Sequence, residues 1–110
     1  MAAPVLKTYS QIYKTDAQGQ IFLTGILNVK LYNSIDVEVI QWPAAGINMN
    51  VLCDIGKISG GTLAQTVEQF PLDTAAQIRT FKVIGPEFSV VLTDGPANTH
   101  VPIQARVFLS

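Results

Sequence analysis

Apolar residues occupy every second position over much of the chain, which is the pattern of β-strands with one buried face. Ile35, Val37 and Val39 alternate with Asp36 and Glu38. The same period of two recurs in five further segments: 27–31, 47–55, 81–83, 88–92 and 101–109. Alternation of this kind is typical of antiparallel sheets, so the chain is predicted to be all-β.

Clusters of glycine, proline, asparagine and serine interrupt the alternation about every 8–14 residues, the spacing expected for a β-sandwich or jelly roll. About eight strands are predicted, at 4–13, 19–32 with a kink at Gly25, 34–42, 47–58, 62–69, 77–84, 86–93 and 99–109. The segment 62–69 also fits one face of a short helix, but its threonines favour a strand. The predicted fold is an antiparallel, jelly-roll-like sandwich.

Residues 1–16 form an apolar segment that stands apart from the predicted sandwich at 17–110. Two interpretations remain open: an ordinary first strand, or an arm that pairs with a neighbouring copy by strand addition. In either case its apolar side chains are candidates for an assembly interface. They are Val5, Leu6, Tyr9, Ile12 and Tyr13.

The composition is unusually poor in charge. The 110 residues are 48% hydrophobic and 14% charged, with a formal net charge of −1. High hydrophobicity excludes disorder, and the absence of a basic excess argues against nucleic acid as a partner. The chain shows no signal-peptide pattern and no apolar run long enough to enter a membrane.

So few charges favour an interpretation in which part of the apolar surface is buried against other copies of the chain. Four apolar residues fall on the outward phase of their strands and are the further interface candidates: Ile40, Leu52, Val91 and Phe108. The sequence therefore predicts a structural subunit that self-assembles as a homo-oligomer or fibre. A phage or virion structural protein is an alternative within the same class.

Residues able to support catalysis are few. A catalytic triad would need the single histidine, His100, near a nucleophile and a carboxylate, for which Ser89, Cys53 and Asp94 are the conceivable residues. No nucleophile-elbow motif supports such a site. Asp36 and Glu38 are spaced as a solvated pair on one strand face. The lone Cys53 lies in an alternating run, where it fits a small buried residue. We therefore expect no enzyme activity, cofactor or metal site.

A different class of function is suggested by two aromatic residues. Tyr32 and Trp42 could form a stacking platform for a sugar, as in a carbohydrate-binding or lectin-like sandwich. Trp42 precedes a proline at a predicted strand end, where a core or interface aromatic is also expected.

The stretch GPEFSVVLTDGPANT at 85–99, followed by VPIQA at 101–105, resembles the closing hairpin of small β proteins from spore-forming bacteria. The size and all-β pattern are similar to the jelly-roll subunits of endospore appendage fibres. That resemblance implies a location on the spore or cell surface, a flexible N-terminal connector and assembly by sheet augmentation. Those connectors are rich in cysteine, whereas residues 1–20 here contain none.

Overall fold

The computed structural model describes residues 3–41, 48–56, 65–72 and 77–110. Their strands form two antiparallel sheets around one apolar core. The strands are β1 (Val5–Thr8), β2 (Gln11–Lys14), β3 (Ile21–Phe22), β4 (Leu27–Asn28), β5 (Ser34–Gln41), β6 (Asn50–Gly56), β7 (Gln65–Pro71), β8 (Gln77–Lys82), β9 (Glu87–Thr93) and β10 (His100–Leu109).

The order of the strands identifies the fold as a jelly roll. The β10 sheet runs β1-β10-β5-β8, with β2 beside β1 on the same edge of β10; the β9 sheet runs β3-β9-β6-β7, with β4 beside β3. The first strands therefore pair with the last, β3 and β4 with β9, β5 with β8, and β6 with β7. This nested pairing in two sheets confirms the predicted antiparallel, jelly-roll-like sandwich.

The predicted strand 4–13 is present, with a short interruption at 9–10. Its pairing with β10 nevertheless keeps one register from Val5 to Lys14, because each step along one strand is matched by one step along the other. The Tyr9 N–H donates to the Ala105 carbonyl at 2.8 Å within the interruption. Together β1 and β2 act as one edge ladder on the chain's own last strand.

The prediction of a single strand at 19–32 is wrong, because β3 and β4 have only two residues each. Between them the register on β9 shifts by two residues; the Leu23 N–H still donates to the Val90 carbonyl at 3.0 Å, so the bulge lies at 24–26. The Thr24 hydroxyl accepts a hydrogen bond from the Val90 N–H at 3.0 Å, in place of a strand carbonyl. Gly25 has a φ of 62°, which confirms the predicted kink.

The other predicted strands agree with the structure where it describes them. The alternative of a helix at 62–69 is excluded from Gln65 onward, since β7 is a strand that runs to Pro71. On β10, Pro102 lies opposite Ile12 of β2 at an even position, whereas the odd positions of β10 bond to that edge, so its missing N–H costs this ladder no hydrogen bond. The ladders bury a continuous core, whose fully enclosed side chains include Val29, Ile35, Val37, Val51, Phe88, Val90, Leu92, Ile103, Val107 and Leu109.

Two loops lock together at one end of the sandwich. Thr15, almost fully buried, donates from its hydroxyl to the Pro96 carbonyl at 2.6 Å and accepts from the Thr99 N–H at 2.8 Å. The Asp16 carboxylate accepts two backbone N–H groups of its own loop, at 2.9 Å each. These bonds hold the chain rigidly where it leaves β2 for the other sheet.

The same lock depends on glycine. The Gly95 N–H donates to the Gly19 carbonyl at 3.1 Å, and Gly19 has a φ of 73°. A Cβ on Gly19 would lie 1.9 Å from the Gly95 carbonyl oxygen, a rigid backbone atom. Gly25 also has a positive φ, but a Cβ there would meet nothing within 4 Å.

These two glycines form a matched pair for mutation. Gly19→Ala is expected to lower the free energy of unfolding by about 2–4 kcal/mol, since it adds a backbone collision to the conformational strain. Gly25→Ala introduces the strain alone and is expected to cost about 1 kcal/mol. Urea unfolding of both variants measures the difference, and equal losses would contradict the close approach of the two loops.

Candidate assembly surface

The outer face of the β10 sheet carries several of the predicted interface residues. Leu6 lies directly opposite Phe108, and Ile12 lies opposite Pro102. Leu6 and Ile12 are 56% and 65% exposed, and Phe108 is also exposed. Ile40 is half-buried beside Gln104 on the same face. Of these residues, the alternation of the sequence assigned Ile40 and Phe108 to the outward phase, and both lie on this face.

An ion pair divides the apolar residues on this face. The Arg106 guanidinium donates to the Glu38 carboxylate, with 2.8 Å between Nε and Oε1. Beside it, Asp36 accepts a hydrogen bond from the Thr80 hydroxyl at 2.7 Å. Both acidic residues of the predicted solvated pair are therefore engaged by neighbouring strands.

A shallow groove of about 420 Å³ runs across this ion pair, between Leu6 and Phe108 on one side and Ile78 on the other. Ile78 is exposed and faces outward opposite Glu38. The sequence interpretation missed it, although Ile78, Thr80 and Lys82 occupy the opposite phase to the inward Phe81. This alternation was the sequence feature from which the outward position of Ile78 could have been predicted.

The outer face of the β9 sheet carries a second apolar row. Val91 lies between Phe22 on β3 and Leu52 on β6. Because its neighbours cover it, Val91 is only 8% exposed; Leu52 is half-buried and Phe22 is 65% exposed. Two predicted residues are thus direct partners, and the most exposed member of the row, Phe22, was missed because it belongs to a two-residue strand.

Three residues of the N-terminal segment face inward instead. Val5, Tyr9 and Tyr13 are half-buried, and both tyrosines pack against the core. Burial raises the pKa of both hydroxyls, and the charge of Tyr9 raises that of Tyr13 further. Only Leu6 and Ile12 of the five predicted residues present their side chains to solvent on the outer face.

Three further exposed apolar residues that the alternation did not predict lie outside the strands. They are Ile26, Leu31 and Ile84. The Val83 N–H donates to the Asn33 carbonyl at 3.1 Å, which brings the two loops side by side. Next to them is an open cleft of about 730 Å³, lined by Ile26, Asn28, Lys30, Val83, Gly85, Pro86 and Glu87.

Arg79 closes one side of the sandwich. It projects from β8 towards β7, where its guanidinium pairs with the Glu68 carboxylate and lies 4.5 Å from the centre of the Phe70 ring. Nearby, the Gln77 amide donates to the Pro71 carbonyl at 2.7 Å. Strands from the two sheets are therefore joined by side chains along this side, which sequence periodicity gave no means of finding.

The residues considered for catalysis are not brought together. His100 is exposed at the start of β10 and pairs with Lys14. Ser89 and Cys53 are both buried in the other sheet. Within residues 3–41, 48–56, 65–72 and 77–110, no three His, Cys, Asp or Glu side chains are grouped closely enough to hold a metal ion. The same ranges contain no helix that is long and apolar enough to span a bilayer.

The sugar platform suggested by Tyr32 and Trp42 is only partly visible. Tyr32 is half-buried and packs against the core, and its N–H donates to the Val29 carbonyl at 3.0 Å. Trp42 lies outside the described residues.

No protein-family model matches the chain, and no curated protein matches it either. A solved structure does: a chain from Bacillus endospore appendages, a family of disulfide-linked pili. The identity is 12% and the TM-score 0.60, with 96% of this chain and 86% of that chain covered. The two chains share a fold. The resemblance to appendage subunits noted from the sequence is therefore confirmed at the level of architecture.

The buried Cys53 gives a test of the packing around β6. Burial, followed by the nearby charges of Glu68 and Asp54, raises the pKa of its thiol from 9.0 to about 12. At pH 8 the native protein is expected to react with an aromatic disulfide reagent at least about 100-fold more slowly than the urea-unfolded chain. Equal rates, followed by absorbance of the released thiolate, would contradict the burial.

The same shift predicts a dependence of stability on pH. The unfolded thiol ionises near 9.0 and the folded thiol only near 12. The contribution of the protonated Cys53 thiol to the free energy of unfolding is therefore fully present below pH 9, and it is lost as the pH rises towards 12. Cys53→Ala should lack this part of the decline when urea unfolding is measured across that range.

Proposed function

We propose that the protein is a non-enzymatic structural subunit that assembles with copies of itself, as a homo-oligomer or a fibre. The observation that carries the proposal is the presence of apolar residues at directly opposite positions of neighbouring strands on both outer faces. Leu6 lies beside Phe108 on one face, and Phe22, Val91 and Leu52 form a row on the other. The inward residues already fill the core, so these outward ones could be buried only against another partner.

The edge of the β10 sheet supports the same proposal. The ladder from Val5 to Lys14 keeps one register, and no strand among the described residues pairs with its outer side. An open edge of this length invites pairing with another chain unless it is bent, bulged or covered. A head-to-tail contact of this kind would propagate into a filament, whereas a symmetric one would close into a dimer.

The similarity to an appendage subunit is consistent with a location on the spore or cell surface, which is part of the proposal. Since one fold serves many functions, this likeness supports the proposal but does not carry it. The appendages are disulfide-linked pili. The 110 residues here contain one cysteine, Cys53, and it is buried. The assembly proposed here is therefore non-covalent.

Light scattering after size-exclusion chromatography, together with negative-stain microscopy, tests the proposal. The wild type is expected to form assemblies that run as single chains on non-reducing denaturing gels. Phe22→Glu should weaken assembly at least about tenfold, because it places a charge in an apolar contact. Gln18→Glu adds the same charge at an exposed turn position outside both sheets and is the control. A wild type that is monomeric at every concentration would overturn the proposal.

A further inference from the structure

The backbone of β1 and β2 has a defined pattern of free hydrogen-bonding groups. The N–H groups of Tyr9 and Thr15 both donate to the strand on their inner side, at 2.8 and 2.9 Å. Because backbone groups in an antiparallel pair point to the partner at alternate residues, the odd positions bond to β10. The even positions from Leu6 to Lys14 therefore direct their N–H and C=O groups to the open edge.

The side chains along this edge follow a palindrome of residue types centred on Tyr9. Residues 5–13 read VLKTYSQIY. The residue type at a given distance before Tyr9 recurs at the same distance after it. Hydroxyl side chains stand one residue away, long polar ones two, aliphatic ones three and large apolar ones four. These pairs are Val5 with Tyr13, Leu6 with Ile12, Lys7 with Gln11, and Thr8 with Ser10.

We propose that this edge pairs with the same edge of a second copy, antiparallel and with a two-fold axis at Tyr9, so that the two β10 sheets become continuous. Leu6 then lies opposite Ile12 of the second copy, and Thr8 lies opposite Ser10. Both are pairs of even positions, so each exchanges two backbone hydrogen bonds across the axis. This inference rests on the proposed self-assembly and names one of its contacts.

Other registers match the side chains less well. Moving the axis to Ser10 places Leu6 opposite Lys14 and Thr8 opposite Ile12. Moving it to Thr8 places Leu6 opposite Ser10 and Lys7 opposite Tyr9. In a parallel arrangement with the two strands in register, Lys7 of one copy would lie beside Lys7 of the other. The two like charges would repel each other. Centring on Tyr9 instead sets Lys7 opposite the neutral Gln11.

The other sheet edges are poorer templates. The edge strand β8 has only six residues and is shorter than the edge from Val5 to Lys14. The ladder of β7 with β6 contains a register shift at Cys53 and Asp54 and ends at Pro71, which has no N–H. On the remaining edge, the bulge at 24–26 separates β3 from β4. Among the described residues, the edge from Val5 to Lys14 is thus the longest that keeps a single register.

Such a contact is isologous and closes with two copies. A fibre would then need a second contact, for which the Phe22, Val91 and Leu52 row on the opposite sheet is available. Experiments on the edge are therefore best made with Phe22→Glu present, so that the second contact is blocked and a dimer is the species expected.

A charge exchange tests the register. Leu6→Lys and Ile12→Glu, each in the Phe22→Glu background, are expected to raise the dimer dissociation constant at least about tenfold, since each change occurs twice across the axis. Combining them places the introduced lysine of one copy opposite the introduced glutamate of the other, and the double variant should dimerise more tightly than either single one. Within one chain these positions are about 20 Å apart along the strand, too far to pair with each other.

Disulfide trapping gives an independent measure. Tyr9→Cys places two thiols directly opposite each other at the axis, about 4.5 Å apart between Cα atoms and within reach of a disulfide. Diamide should then trap a covalent dimer. Lys14→Cys is the control, because its two copies would lie about 30 Å apart along the paired strands. Circular dichroism and thermal unfolding confirm that each variant is folded.

The outcomes separate the two proposals. A dimer in the Phe22→Glu background, weakened by each charge and restored by both, supports the inference. A wild type that assembles while the Phe22→Glu protein is monomeric, or a double variant no tighter than the single ones, overturns the inference alone. A monomeric wild type overturns the proposed function as well.

Discussion

The structure depends on the hydrogen-bond ladders on both sides of β10. This strand pairs with β1 and β2 on one edge and with β5 on the other, so it joins the first residues of the chain to the middle. Its inward side chains are buried from Val101 to Leu109. Because the strand has no free edge, the sheet ends at β8 and at the N-terminal segment among the described residues, and the latter is the edge on which the proposed self-assembly rests.

Sequence periodicity predicted the fold class because strands with one buried face repeat every two residues, and the glycine and proline clusters marked their ends. It failed at 19–32, where the Thr24 hydroxyl and the positive φ of Gly25 accommodate two extra residues that alternation does not register. Outward residues on long strands, such as Ile40 and Phe108, lie in the phase that alternation assigned to them. Phe22 lies on a strand too short to show a period.

Contacts between the sheets could not be read from the sequence. The Arg79 guanidinium meets Glu68 and Phe70 across the gap between two sheets, and neither the charge nor the aromatic ring identifies its partner in the sequence. The approach of the loops at Asn33 and Val83 likewise depends on how the two sheet edges lie against each other. The charge deficit nevertheless indicated that apolar surface would remain outside the core, and both outer faces carry it.

The nested pairing of strands implies an order of folding. β6 and β7 are neighbours in sequence, so their contact costs little loop entropy, whereas β1 pairs with a strand about a hundred residues away. Contacts between distant segments form late, because their entropic cost precedes any gain. The N-terminal edge is therefore expected to be completed last. The proposed edge contact would then be open only to a chain that has finished folding, which would link joining an assembly to maturation of the subunit.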